Sequence, residues 1–143
     1  VEGKAAQLFL ARTLHSKFAA NRTETKIAEE AIEAYKKVLA VNPNDNSSFK
    51  AVASLYENLE KKDEWRAWVT ERSANESLPA EQRAEAYTSL ASKENTCAND
   101  ITEDPKVKKT EKEGDKSVFK FSKPEKPEDL EKLKGCVQKG MEL

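Results

Sequence analysis

Histidine occurs once in this chain of 143 residues, cysteine twice, and glycine and proline only four and five times. One His and two Cys are too few to complete a four-ligand metal site unless carboxylates join them. With so little glycine there is no phosphate-cradling loop, and neither an HExxH helix nor a nucleophile elbow is present. The residues therefore point to no catalytic, metal or cofactor site, and we expect a protein that is not an enzyme. His15, far from any motif, reads as a surface or groove residue. Long apolar runs are missing too: none approaches the roughly 18 residues that span a bilayer as a helix. Neither sign of charge prevails. A formal net charge of -1 offers no surface for nucleic acid or for an anionic membrane. The chain begins at Val1 with no recognisable signal peptide, which we read as a processed, truncated or partial product.

What is present is charge and helix pattern. Charged residues make up 36% and apolar residues 37%, a Lys/Glu-rich, helix-forming composition of about one domain's length. Between Lys4 and Ala20, Leu10, Leu14 and Phe18 recur every four residues, with Phe9 and Ala11 alongside, as one face of a helix. After a turn at Asn21, Thr25 can cap a second helix that buries Ile27, Ala31, Ile32, Tyr35, Val38 and Leu39. Pro43 ends it, because proline disfavours helical geometry in the residue before it. A second pair follows. Asn44, Asp45 or Asn46 can cap a helix carrying Phe49, Val52, Ala53, Leu55, Tyr56 and Leu59; past a polar turn at 60–63, its partner carries Trp65, Trp68 and Val69. A further helix opens at Pro79 and carries Ala84, Tyr87, Leu90 and Ala91. The apolar pattern then stops from about 98 to 127, where lysines and acidic residues alternate among prolines, as in a solvated insertion. Within it, Ser117–Ser122 sets Phe119 and Phe121 on one side of a possible strand. Helical pattern resumes at Pro127 with Leu130, Leu133, Val137 and Met141.

The segment Ala31-Ile-Glu-Ala-Tyr-Lys-Lys-Val-Leu-Ala-Val-Asn-Pro43 resembles the second helix of a tetratricopeptide repeat (TPR). A small residue at Ala31, an aromatic at Tyr35, an aliphatic pair at Val38 and Leu39 and a closing proline stand at the family's spacing. The next pair follows Pro43 in phase with the family's period of about 34 residues, and Tyr87, Leu90 and Ala91 match family positions in the third. The resemblance implies an all-α, right-handed solenoid of antiparallel helix pairs. Its repeats would cover about 4–43, 44–78 and 79–143 in a single domain, with a long irregular insertion at about 98–127 inside the third. Gly140 takes a small-residue position, so the third repeat is unfinished at Leu143; either a longer parent chain or a partner would cover that end. Trp65 stands where the family has a small residue, and should push its helices apart or turn outward.

The same alignment places Cys97 at the end of one helix and Cys136 at the start of the repeat-like part of the next. They are either two separate buried thiols or a disulfide at the neck of the insertion. Closing that loop of about forty residues would contribute roughly 4 kcal/mol in the chain-entropy model and would imply an oxidising compartment.

By resemblance, a partner-binding groove is lined by Ser47, Lys50, Ser54, Glu57, Asn58, Glu85, Thr88, Ser92 and Asn95. Lys50 matches one lysine of the clamp with which chaperone-binding members hold a C-terminal carboxylate, but Ser54 and Glu85 depart from that clamp. Trp65, Trp68, Phe119 and Phe121 are aromatic anchor candidates, against the plainer reading of Trp65 and Trp68 as packing on Tyr56. The implied function is a non-catalytic scaffold or accessory subunit of a larger complex, binding other proteins. Two alternatives stand beside it: a structural protein whose open repeat ends stack copies head to tail, and a recruiting or regulatory segment of an enzyme outside this chain. No cofactor, nucleic acid or direct membrane insertion is expected. Glycosylation-type triplets at Asn21, Asn46 and Asn75 favour a periplasmic or secreted location over a cytoplasmic one.

Overall fold

The computed structural model describes residues 2–102 and 107–142. These form six helices and one two-stranded sheet: α1 (Glu2–Ala20), α2 (Thr25–Val41), α3 (Asn46–Asn58), α4 (Lys62–Ala74), α5 (Ala80–Thr102), β1 (Lys108–Glu113), β2 (Lys116–Phe121) and α6 (Pro127–Met141). Two compact units divide the chain, Val1–Ala86 and Tyr87–Leu143. The protein is mostly helical, as its composition implies. No helix among the described residues is long and apolar enough to cross a membrane.

In the first unit each helix packs on the next in sequence, α1 on α2, α2 on α3 and α3 on α4. The residues that repeat along α2 make its inner face: Ala28, Ala31, Ile32, Ala34, Tyr35 and Val38 are buried. Pro43 follows as expected, and α2 stops at Val41. Asp45 caps α3, its carboxylate accepting from the Ser48 backbone N–H at 3.3 Å and from the Ser48 hydroxyl at 3.0 Å. Thr25, by contrast, is the first residue of α2 and not its cap; Glu24 precedes the helix and makes no side-chain capping bond. α3 turns Phe49, Val52, Leu55 and Tyr56 inward, and α4, which packs on it, buries Trp65 and Val69.

α1 departs from the expected face. Ala11 and Phe18 are its buried residues, while Leu10 and Phe9 are exposed. Steps of four drift by about 40° each around a helix, whereas residues seven apart nearly superimpose. A face centred on Ala11 and Phe18 therefore leaves Leu10 at its edge.

The second unit corrects the expected irregular insertion. α5 runs past Cys97 to Thr102, and its inner stripe is Ala86, Leu90, Glu94 and Ile101, one residue off the expected Tyr87 and Ala91. The following segment is a β-hairpin in which Glu113 pairs with Lys116, Glu111 with Val118 and Lys108 with Phe121. Gly114, at φ 66°, takes the first place of the two-residue turn, a conformation that side chains disfavour and glycine adopts freely. The Lys120 ammonium bridges to Glu111 at 2.5 Å on the opposite strand. Both faces of the hairpin are largely exposed; Val107, just before β1, and Pro124, just after β2, are buried, and the Val107 carbonyl accepts from the Ser122 N–H at 2.7 Å. α6 then begins at Pro127, in the first turn where the missing N–H costs nothing.

Candidate functional site

The polar row expected on the first helix of the second pair is present in the first unit. Ser47, Lys50, Ser54, Glu57 and Asn58 are all exposed on α3, opposite its buried face. Neighbouring elements extend the row at both ends. Arg22, in the α1–α2 turn, donates to the Asn58 side-chain oxygen, and Asn58 donates to the Ser54 hydroxyl at 3.5 Å. At the other end Lys50 forms an ion pair with Glu85 at 2.5 Å, and the Asn46 amide donates to the same carboxylate at 2.9 Å. Those two hydrogen bonds hold the Glu85 carboxyl below the ordinary 4.5. The Lys50 charge is thus already met within the chain, which argues against the carboxylate clamp. In the second unit Thr88, Ser92 and Asn95 lie exposed along α5.

The tryptophans serve the core. Trp65 is only 7% exposed, so of the two expected departures it does not turn outward, and its face is closed to solvent. Trp68 is half-buried, stacks on Phe49 with ring centroids 5.7 Å apart, meets Tyr56 edge-on and donates its indole N–H to the Phe49 carbonyl at 3.3 Å. Phe119 and Phe121 remain open, at 55% and 61% exposure on one face of β2. The Lys108 ammonium sits 4.4 Å from the centre of the Phe119 ring.

Arg72 is a residue that the pattern did not single out. It is buried, donates to the Pro43 carbonyl at 2.7 Å, to the Gln82 side chain at 2.6 Å and to the Asn46 side chain at 3.4 Å, and lies 4.6 Å from the centre of the Phe49 ring. Burial lowers its pKa most, while Asp45 and Glu85 pull it back up. The signal was available: Trp65, Val69 and Arg72 fall at i, i+4 and i+7, which puts the arginine on the inner stripe of α4. A cavity of about 160 Å³ beside it, lined by Leu39, Phe49, Trp68 and Leu78 among others, is smaller than the roughly 300 Å³ at which small-molecule sites begin.

His15 is half-buried, within 3.4 Å of the Tyr35 hydroxyl and edge-on to its ring. Burial first, then the nearby Arg22 charge, lower its pKa below 6.5. The triplets at Asn21 and Asn75 fall on turns, while that at Asn46 opens α3. Asn21 bonds Glu24 and Thr23, and Asn75 accepts from the Ser77 N–H and hydroxyl.

Cys97 and Cys136 come together at disulfide distance, with Cα atoms 5.9 Å apart, and tie α5 to α6 across the hairpin. Gly140 completes the approach: a Cβ there would stand 3.7 Å from the Glu94 Cβ. Comparison of the chain with protein-family models, with curated proteins and with solved structures gives no match.

Proposed function

We propose that this protein is a non-catalytic interaction scaffold, an accessory subunit whose TPR-like helix pairs build a right-handed solenoid and hold other proteins through the outer row of α3. The observation that carries this reading is the row itself: a hydrogen-bonded group of Arg22, Asn58 and Ser54 and an ion pair of Lys50 with Glu85 lie along a helix whose opposite face is committed to the core. A strip of mixed polarity, fixed on a rigid element, suits a protein surface better than a small ligand. The stepwise packing of α1 through α4 supports the solenoid. The joined cysteines support an extracytoplasmic location.

Cross-linking and mass spectrometry of the protein from its native source test the proposal. Stoichiometric partners, lost on Ser54→Arg with Asn58→Arg while the circular dichroism is unchanged, are the expected result. Partners indifferent to those substitutions would contradict it.

One observation favours self-assembly as a second reading. Phe9, Leu10 and Val41 are exposed apolar residues on the first pair of helices, where a second copy could stack. Sedimentation velocity separates the two readings: mass that grows with concentration and collapses on Leu10→Glu supports stacking, and a fixed monomer mass rejects it.

A further inference from the structure

Three side chains in the second unit form a cluster that the scaffold reading does not use. Glu94 and Cys97 lie three residues apart on α5, hence on one face, and Cys136 meets them from α6. A carboxylate oxygen of Glu94 and the two sulfurs all lie within 4.8 Å of one another. Glu94 is 5% and Cys136 4% exposed, while Cys97 is half-buried. α6 passes close to Glu94 at Gly140, where a Cβ would meet the Glu94 Cβ at 3.7 Å, an ordinary contact.

We propose that in the dithiol form Glu94, Cys97 and Cys136 bind a thiophilic divalent cation of the zinc type, with a fourth position open on the Cys97 side. Zinc holds sulfur at about 2.3 Å and carboxylate oxygen at about 2.1 Å, so ligand atoms around one ion stand roughly 3.5 Å apart. The closeness of the two sulfurs is that of the disulfide itself, so reduction must let them part to about that spacing, while the Glu94 oxygen already lies within 4.8 Å of both. Two thiolates select zinc-like ions over magnesium or calcium, and their placement among buried groups strengthens the attraction to the ion.

The cross-link and the ion exclude each other. In the disulfide each sulfur is neutral and committed to its partner. Two equivalents of a small thiol reduce that bond, yielding two cysteine thiols and the reductant's own disulfide. The cation then displaces the two thiol protons to solvent, with the Glu94 carboxyl proton where one is held, and takes the carboxylate as its third ligand. The same three residues thus give a covalent staple in an oxidising compartment and a cation site in a reducing one.

The test is a cobalt(II) titration of the full chain, reduced with a dithiol that is then removed under anaerobic conditions. Reduced protein should take up one equivalent with thiolate-to-cobalt charge-transfer bands, bleached by zinc; oxidised protein and Cys136→Ser should show none. Glu94→Gln should bind at least about tenfold more weakly, because it loses an anionic ligand. Absence of the bands in reduced protein of native helix content would overturn the proposal, as would equal affinity for Glu94→Gln and the parent chain. Should reduction melt the helices, recovery of ellipticity on adding cobalt supports the site and failure to recover rejects it.

Discussion

The two units are held by different means. In the first, four helices bring apolar side chains together at helical spacing, and Phe18, Val52, Leu55 and Val69 are fully closed to solvent. In the second, among the described residues, Leu90 alone belongs to that class of large, fully buried side chains; its hairpin shows both faces to water, and α6 leaves Val137 and Met141 exposed. A two-stranded hairpin is marginal by itself. The Cys97–Cys136 link, which closes a separation of 39 residues, supplements the small core of Leu90, Ile101 and Val107 in the second unit. A sequence can thus specify order by periodic burial or by one covalent constraint, and the two should fail under different insults.

The largest expected effect comes from breaking the constraint. Cys136→Ser should destabilise the second unit by about 4 kcal/mol in the chain-entropy model and leave the first unit's transition in place; urea unfolding followed by the circular dichroism and tryptophan signals separates the two, since both tryptophans lie in the first unit. The converse change is Leu55→Ala, which should cost the first unit about 3 kcal/mol through lost burial and the cavity left behind, with α6 unaffected. Arg72→Met keeps much of the side chain's bulk but leaves the Pro43 carbonyl and the Gln82 side chain without their donor. A loss of about 2 kcal/mol is expected, read as a lower urea midpoint with unchanged slope.

Acid gives the smallest effect, and its sign follows from the depressed pKa values of His15, Glu29 and Glu85 in the first unit; Glu29 is held down by the hydrogen bond and charge of Lys61 and loses its contribution over the same range as Glu85. His15 is held below 6.5 in the folded chain, so the unfolded chain takes up the proton first. Its neutral form favours folding fully above that value, and the advantage declines as pH falls through 6.5 toward the folded pKa. Glu85 is held below 4.5 by Lys50 and Asn46, so its contribution is present above 4.5 and is lost as pH falls toward its folded pKa. Thermal melts between pH 7 and 3 should show a shallow decline in two steps, the second reduced by salt because the pair is exposed. His15→Gln should remove the first step alone.

The same contrast explains what the sequence disclosed. The inner faces of α2 and α3 were legible because Ala31, Ile32, Tyr35, Val38, Phe49, Val52, Leu55 and Tyr56 are apolar at helical spacing and are all buried. α1 was legible as a helix but not in its facing, since Leu10 lies at the edge of a face defined by Ala11 and Phe18. β1 was hidden because Lys108-Lys-Thr-Glu-Lys-Glu113 buries neither face and so carries no alternation; the Gly114-Asp115 turn was its one local sign. Trp65, a large residue in a small-residue slot, is buried on α4; of the two departures expected of it, the outward turn is absent. At the polar row the exposed residues of α3 could be named in advance. Their linkage to Arg22 and Glu85 could not, because it depends on how distant segments meet.

The claim that one unit stands on its core and the other on its cross-link is tested most directly by hydrogen exchange of the full chain with and without reductant, in metal-free buffer. The account predicts that reduction accelerates exchange in α6, the hairpin and the C-terminal half of α5, while amides of α2 and α3 keep their protection. Equal acceleration in both units, or unchanged protection of α6 after reduction, would contradict it.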